Sequence, residues 1–231
     1  MRFGFGSFTI VVMRKVPTIE QIIQTLMYQV AAGKAHLVVA KGLSNSDPVV
    51  LNAAKVFFAM SIDAHIYYSQ MYAARLHDQT RGAVTVSMLL RRAGKEAGSA
   101  KYGNGAEVRA AIDSSKKILS ALAGRLESLA NVRNKLLAHT DPRTITDPVK
   151  ASGAAGPFFP HLEEIFEQTG NILNNFSRLY RDTTTGIFQI LGQADYETVV
   201  DFVSAAKCEQ VRKYEAEFGV PAPFPRPKGC D

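Results

Sequence analysis

Cysteine and long apolar runs are scarce in the sequence, and both shortages exclude classes of protein. The 231 residues contain only two cysteines, and no apolar run approaches the ~18 residues that a membrane helix needs. Cys208 lies in a helix-like segment and Cys230 in a proline-rich tail, which argues against a secreted disulfide framework and against a zinc site. We therefore expect a cytoplasmic protein without membrane association.

The charge balance is mildly basic. The chain has 27 Lys and Arg residues against 21 Asp and Glu residues, a formal net charge of +6. A basic surplus favours polyanionic partners through counterion release, although a charge of this size also fits plain solubility. Hydrophobic residues make 46% and charged residues 21% of the chain, which is typical of a globular protein and excludes global disorder. The charge therefore permits nucleic-acid binding without identifying it.

The common catalytic signatures are also absent. The sequence has no phosphate-binding Gly-x-x-x-x-Gly-Lys-Ser/Thr loop, no Gly-x-Ser-x-Gly elbow and no His-Glu-x-x-His. Its histidines are never three or four positions apart, so no single helix face carries a pair of metal ligands. They are His36, His65, His77, His139 and His161. We therefore expect neither a metal nor a cofactor.

The pattern that is present is helical. From residue 17 onward apolar residues recur three and four positions apart, which predicts an all-α fold, a bundle of five or six helices. Thr18 and Asp47, the latter followed by Pro48, are predicted helix N-caps. The segment 49–78 is apolar on most of its circumference and should be central to the bundle. The predicted helices cover residues 19–41, 49–78, 86–95, 106–139, 161–181 and 196–218.

Both ends of the chain differ from this helical body. Residues 1–16 form an irregular or strand-like extension without a small-residue cleavage site, and Met13 is an alternative start. Residues 17–219 then form a single helical domain. The proline-rich tail, residues 220–231, should be extended or disordered.

The long helix that starts near residue 106 carries an arginine within its apolar stripe. Because an unpaired guanidinium costs several kcal/mol to desolvate, Arg133 must meet an acid, a partner chain or a ligand anion. The stripe consists of Leu119, Leu122, Leu126, Leu129, Val132 and Leu136. A core acid such as Asp78 or Glu127 is one possible partner of Arg133.

His139 lies six residues after Arg133, about 9 Å along the helix axis. It occupies the last turn before Pro142, where the helix dipole and Asp141 both favour the imidazolium. Such a histidine can protonate a leaving oxygen, while Arg133 holds a phosphate and the RNA 2′-hydroxyl attacks. The two residues thus outline a metal-free ribonuclease half-site. The competing interpretation is that His139 only caps helix carbonyls.

The string RNKLLAHTD, residues 133–141, resembles the signature of the HEPN superfamily. Together with RLHDQTRG at residues 75–82 and the following SMLLRRAG, it is most similar to the AbiU-type abortive-infection branch. The resemblance implies a helical, metal-independent RNA endonuclease of toxin–antitoxin or phage-defence systems, whose cleft forms between two copies. Arg133 and His139 would be catalytic.

Three further residues of this segment are candidate substrate-binding residues: Asn134, Lys135 and Asp141. The implied partners are RNA, a second copy of the chain, and an antitoxin or neighbouring defence protein. No tyrosine follows His139 in a His-x-Tyr pattern, so modification there is not expected. Because many HEPN proteins are non-catalytic, the second hypothesis is a helical module that binds RNA, a nucleotide or a partner protein.

Overall fold

The computed structural model describes residues 16–80, 82–132, 159–184 and 193–230. These residues form α-helices and contain no strand, so the predicted all-α fold is confirmed. A short 3-10 turn, Ala97–Ser99, follows α4. The helices are α1 (Ile19–Ser44), α2 (Pro48–Ala53), α3 (Lys55–Leu76), α4 (Val86–Lys95), α5 (Gly105–Ala121), α6 (Ala123–Val132), α7 (Phe159–Arg181) and α8 (Gln193–Phe218).

The eight described helices correspond to the six predicted ones because two predicted helices are interrupted. Ala54 leaves the helical region, with φ −140°, and separates α2 from α3. Leu122 interrupts the long helix between α5 and α6. The first kink lets Val50 of α2 and Phe58 of α3 reach one buried cluster with Leu43. The continuation of the long helix beyond Val132 lies outside the described residues.

The predicted caps explain where the first helices begin. Thr18 forms a capping box with Gln21, in which each side chain accepts a hydrogen bond from the other residue's backbone N–H. Asp47 accepts from the backbone N–H of Val49, and Pro48 takes the first helical position. Local sequence therefore sets these helix starts, as predicted.

One large hydrophobic cluster, here called the main cluster, holds most helices together. α1 packs along α3 and α7, and α4, α5 and α6 close the remaining sides. Its bulkiest fully buried side chains come from α1, α3, α4, α6 and α7. They include Ile22, Ile23, Leu26, Leu76, Leu89, Leu129, Phe166 and Phe176.

A small cluster covers the other end of α1. Its buried residues are Leu43, Val50 and Phe58, and α8 packs against them through partly buried side chains. The first half of α3 lies here and remains open, with Val56 72% and Met60 67% exposed. The expectation that the whole segment 49–78 is central was therefore wrong for this half, because the described helices that pack near it, α1, α2 and α8, leave one of its sides uncovered.

The proline-rich tail, expected to be extended or disordered, folds back on α8. Cys230 forms a disulfide with Cys208 of α8. Glu215 of α8 accepts hydrogen bonds from Arg226 and from the backbone of Ala222. The expectation was wrong because composition alone does not register the covalent bond and the ion pair that hold these residues.

Candidate functional site

The predicted catalytic segment follows directly on α6. Arg133, His139 and the substrate-binding candidates Asn134, Lys135 and Asp141 all lie outside the described residues. The structure therefore shows where this segment begins, at the end of α6, whose last described residue is Val132.

α6 is held firmly by its apolar stripe. Leu122 and Leu129 are each 1% exposed, while Leu119 and Leu126 are partly buried against the main cluster. The predicted stripe is confirmed for these four leucines, whereas the Val132 side chain and Leu136 lie outside what is described. Since α6 packs on α3 and α7, the chain reaches residue 133 from a fixed support.

A cavity of about 530 Å³ with a mixed polar and apolar lining lies beside α6. It is bordered by the end of α3, by the start of α4 and by the residues around the α5–α6 junction. Its size falls in the ordinary range of small-ligand sites. The polar side chains that line it are His77, Asp78, Gln79, Ser87 and Glu127.

His77 is held neutral in this cavity wall. Burial lowers the pKa of His77 to about 4, because the surrounding protein desolvates the charged ring. Its Nε2 atom lies 3.0 Å from the hydroxyl of Thr169, a fully buried residue of α7. At neutral pH His77 therefore serves as a hydrogen-bonding group and not as a cation.

Two carboxylates line the same cavity. Asp78 accepts hydrogen bonds from the backbone N–H and the hydroxyl of Thr80, which fixes its side chain at the end of α3. Glu127 is an exposed residue of α6. Contrary to the expectation, neither is a core acid, because Asp78 is only half-buried and Glu127 is exposed. Whether either one pairs with Arg133 lies outside the described residues. Both carboxylates are among the side chains that line the cavity.

A second polar constellation was missed by the sequence reasoning. His36 of α1 and His65 of α3 face each other with their Nδ1 atoms 2.9 Å apart. The rings of Tyr68 and Tyr72 stack on His36, with centroids 5.2 Å and 5.9 Å away. The spacing argument considered pairs on one helix only, whereas this pair joins residues that are 29 positions apart. The histidine pair could be predicted only if the packing of α1 along α3 were known.

The environment of this pair keeps both rings neutral. Burial lowers the pKa of His36, and the neighbouring His65 lowers it further. Burial also lowers the pKa of His65. In the neutral pair the Nδ1 of one ring carries a proton and donates a hydrogen bond to the Nδ1 of the other ring.

An open apolar groove of about 360 Å³ begins at the histidine pair. Besides the two imidazoles, Ser61 supplies a hydroxyl to its wall. The apolar lining residues are Ala35, Val39, Leu43, Phe57, Phe58 and Val199, with the ring of Tyr196 beside them. Among the described residues, no group of three or more His, Cys, Asp and Glu side chains is placed to hold a metal ion.

Comparison with known proteins identifies the class to which this helical bundle belongs. The family model described as AbiU2, an HEPN family, matches residues 46–202, which include α2 to α7 and the Arg133–His139 segment. The chain belongs to this AbiU2 family of HEPN proteins. No curated protein and no solved structure matches the chain, so the assignment rests on the family model.

None of the described helices combines the length and the apolar character that spanning a bilayer requires.

Proposed function

We propose that the protein is a metal-independent endoribonuclease of toxin or phage-defence type. The observation that carries this proposal is the HEPN family match, which includes an Arg133–Asn134…His139 segment that begins directly after helix α6. Arg133 and His139 are the proposed catalytic residues. Asn134, Lys135 and Asp141 are proposed to bind and orient the substrate.

The proposed reaction is an in-line displacement at phosphorus. The RNA 2′-oxygen loses its proton to a general base and forms a bond to phosphorus, while the bond from phosphorus to the 5′-oxygen breaks. His139 donates a proton to that leaving oxygen. Arg133 binds the phosphate oxygens, where negative charge increases in the transition state. The nucleophile belongs to the substrate, so the proposed chemistry uses no metal and no other cofactor.

The cavity beside α6 supports a substrate position near this segment. Gln79 and Ser87 offer an amide and a hydroxyl that can hydrogen-bond ribose or phosphate oxygens. The nearby carboxylates of Asp78 and Glu127 would repel a phosphate unless a cation offsets them. Arg133 and Lys135 are the cations that the sequence supplies next to α6.

We further propose that two copies form the cleft, each contributing Arg133 and His139. The exposed half of α3 supports a second copy as partner. Val56, Phe57 and Met60 are all exposed there, at 72%, 60% and 67%. Neighbouring large apolar side chains left in water are typical of an interaction surface. A further partner, an antitoxin or a neighbouring defence protein, is proposed from the family resemblance alone.

The second candidate function is a non-catalytic module that binds RNA, a nucleotide or a partner protein. The observation in its favour is the position of Asp78 and Glu127 in the cavity beside α6. If Arg133 forms an ion pair with either carboxylate, its charge is no longer available to a scissile phosphate. RNA would then bind without being cleaved.

The experiment incubates the purified, untagged chain with structured RNA in EDTA. We expect the wild-type protein to have the mass of two chains and to cleave. Arg133→Ala and His139→Ala should each lower the cleavage rate by about 10²-fold or more, because each removes a group that acts in the transition state. Far-UV circular dichroism checks that the variants keep their helices.

Arg91→Ala and His161→Ala are the matched controls, since both side chains are exposed on other helices. Both controls should cleave at the wild-type rate. Cleavage that survives both Arg133→Ala and His139→Ala, or that disappears in EDTA, would contradict the proposal. RNA that is bound but never cut, with an affinity that Arg133→Ala leaves unchanged, would establish the binding module instead.

A further inference from the structure

We infer that His36 and His65 form a binding site for a divalent transition-metal ion of tetragonal preference, such as Cu²⁺ or Ni²⁺. The site lies between α1 and α3, away from the cavity beside α6. It does not depend on the proposed ribonuclease activity, and the proposed cleavage does not use it.

The separation of the two donor atoms matches one coordination geometry. Imidazole nitrogens bind such metals at about 2.0–2.1 Å. Two of them at an angle of about 90° around one ion are then about 2.9 Å apart, whereas at a tetrahedral angle they are about 3.3 Å apart. The observed Nδ1 to Nδ1 distance is 2.9 Å. This is also the length of the hydrogen bond between the two rings, so an ion that replaces the shared proton can take both nitrogens at adjacent positions of a square-planar or octahedral sphere.

The pair is also held in place before any ion binds. α1 and α3 pack along each other, so the backbone positions of His36 and His65 are fixed by the packing of the two helices. Tyr68 and Tyr72 stack on the His36 ring with interplanar angles of 23° and 19°. Tyr72 itself packs against the main cluster. Donor atoms that are already oriented lose little conformational entropy on binding.

Binding requires one proton to change its place. In the hydrogen-bonded pair, one ring carries its proton on Nδ1. For both Nδ1 lone pairs to reach one ion, that proton moves to Nε2 of the same ring, and both imidazoles stay neutral. The ion thus replaces a hydrogen bond, and no redox change or proton release is involved.

The other coordination positions face the open groove. Ser61 lines that groove together with both histidines, and no third His, Cys, Asp or Glu side chain joins them among the residues described. Water or a small external ligand would therefore complete the coordination sphere. A site with two protein ligands and open positions exchanges its ion more readily than a closed structural site.

The test adds less than one equivalent of CuSO₄ to the untagged full chain near neutral pH, followed by electron paramagnetic resonance. We expect a tetragonal Cu²⁺ signal with hyperfine splitting from two nitrogens. His36→Ala and His65→Ala should each weaken Cu²⁺ binding at least tenfold. His161→Ala, which removes an exposed histidine of α7, should bind as the wild-type protein does.

A second measurement keeps the inference testable if either alanine variant unfolds. In the wild-type protein, the same Cu²⁺ should broaden the ring resonances of His36 and His65 before those of His77 and His161. Unchanged Cu²⁺ affinity in both variants, broadening that begins at other histidines, or stronger binding of Zn²⁺ than of Ni²⁺ would overturn the inference.

Discussion

The two buried clusters of the bundle differ in how completely they are covered. The main cluster lies between one face of α1 and the helices packed against it, and side chains such as Phe166 and Phe176 are fully buried in it. In the part of the chain that the structure describes, the small cluster around Phe58 has three buried residues, and a groove opens beside it. The same helices, α1 and α3, contribute to both. We infer that one end of the bundle supplies stability and that the other leaves surface available for binding.

The largest expected difference concerns one phenylalanine from each cluster. Phe166→Ala should lower the free energy of unfolding by about 3–5 kcal/mol, because its neighbours cannot move into the cavity that forms. Phe58→Ala should cost less, about 2–3 kcal/mol, because the groove beside it lets the structure relax. Urea denaturation of both variants measures the two losses. An equal or larger loss in Phe58→Ala would remove the distinction between the clusters.

Acid should destabilise the folded protein mainly through His77, which lies at the end of α3 that packs on the main cluster. The pKa of His77 is about 4 in the folded protein, below its ordinary value of 6.5. Between these pH values the unfolded chain binds a proton that the folded chain excludes, so stability is full above pH 6.5 and decreases toward pH 4. The expected loss from this residue is about 3 kcal/mol.

The matching variant is His77→Gln, which keeps a hydrogen-bonding group opposite Thr169 but cannot titrate. Its free energy of unfolding should change much less between pH 7 and pH 4.5 than that of the wild-type protein. His161→Ala, at an exposed position, should retain the full pH dependence. If the free energy of unfolding of His77→Gln depended on pH as strongly as that of the wild-type protein, the proton excluded from the folded state would belong to another group.

A smaller difference is expected at two glycines of α1, one facing each region. A Cβ atom at Gly33 would overlap the ring of Phe166, and one at Gly42 would overlap the ring of Tyr196. Phe166 is fully buried and cannot give way, whereas Tyr196 is partly exposed and can turn toward solvent.

Gly33→Ala should therefore destabilise the protein by about 1–3 kcal/mol. Gly42→Ala should change stability by less than about 1 kcal/mol, since the better helix propensity of alanine offsets the smaller rearrangement. Thermal unfolding of both variants measures the difference. A more harmful Gly42→Ala would mean that Tyr196 is held as rigidly as Phe166.

The sequence predicted the parts of the fold that depend on neighbouring residues. Apolar periodicity located the helices, and Thr18 and Asp47 begin α1 and α2 as expected, since a cap involves residues within one helical turn. The apolar stripe through Leu122 and Leu129 is likewise a property of one helix. The interruptions at Ala54 and Leu122 were not predicted, because neither these residues nor their immediate neighbours are helix breakers.

Features that join distant positions were not predicted. The His36–His65 pair depends on how α1 lies against α3, and no spacing rule within one helix contains that information. The attachment of the tail through Cys230 and Cys208 is a second example. For the proposed catalytic site, the local string around Arg133 and His139 was sufficient to predict the family, which the family match confirms. Its catalytic role stays a prediction.

The most direct test of the proposed function is the chemistry of the RNA ends after cleavage. Attack by the 2′-oxygen predicts a 2′,3′-cyclic phosphate on one fragment and a 5′-hydroxyl on the other, with no cleavage where the scissile nucleotide is 2′-deoxy. Mass spectrometry of the fragments distinguishes these ends. Fragments with a 5′-phosphate and a 3′-hydroxyl, or cleavage at a 2′-deoxy position, would contradict the account.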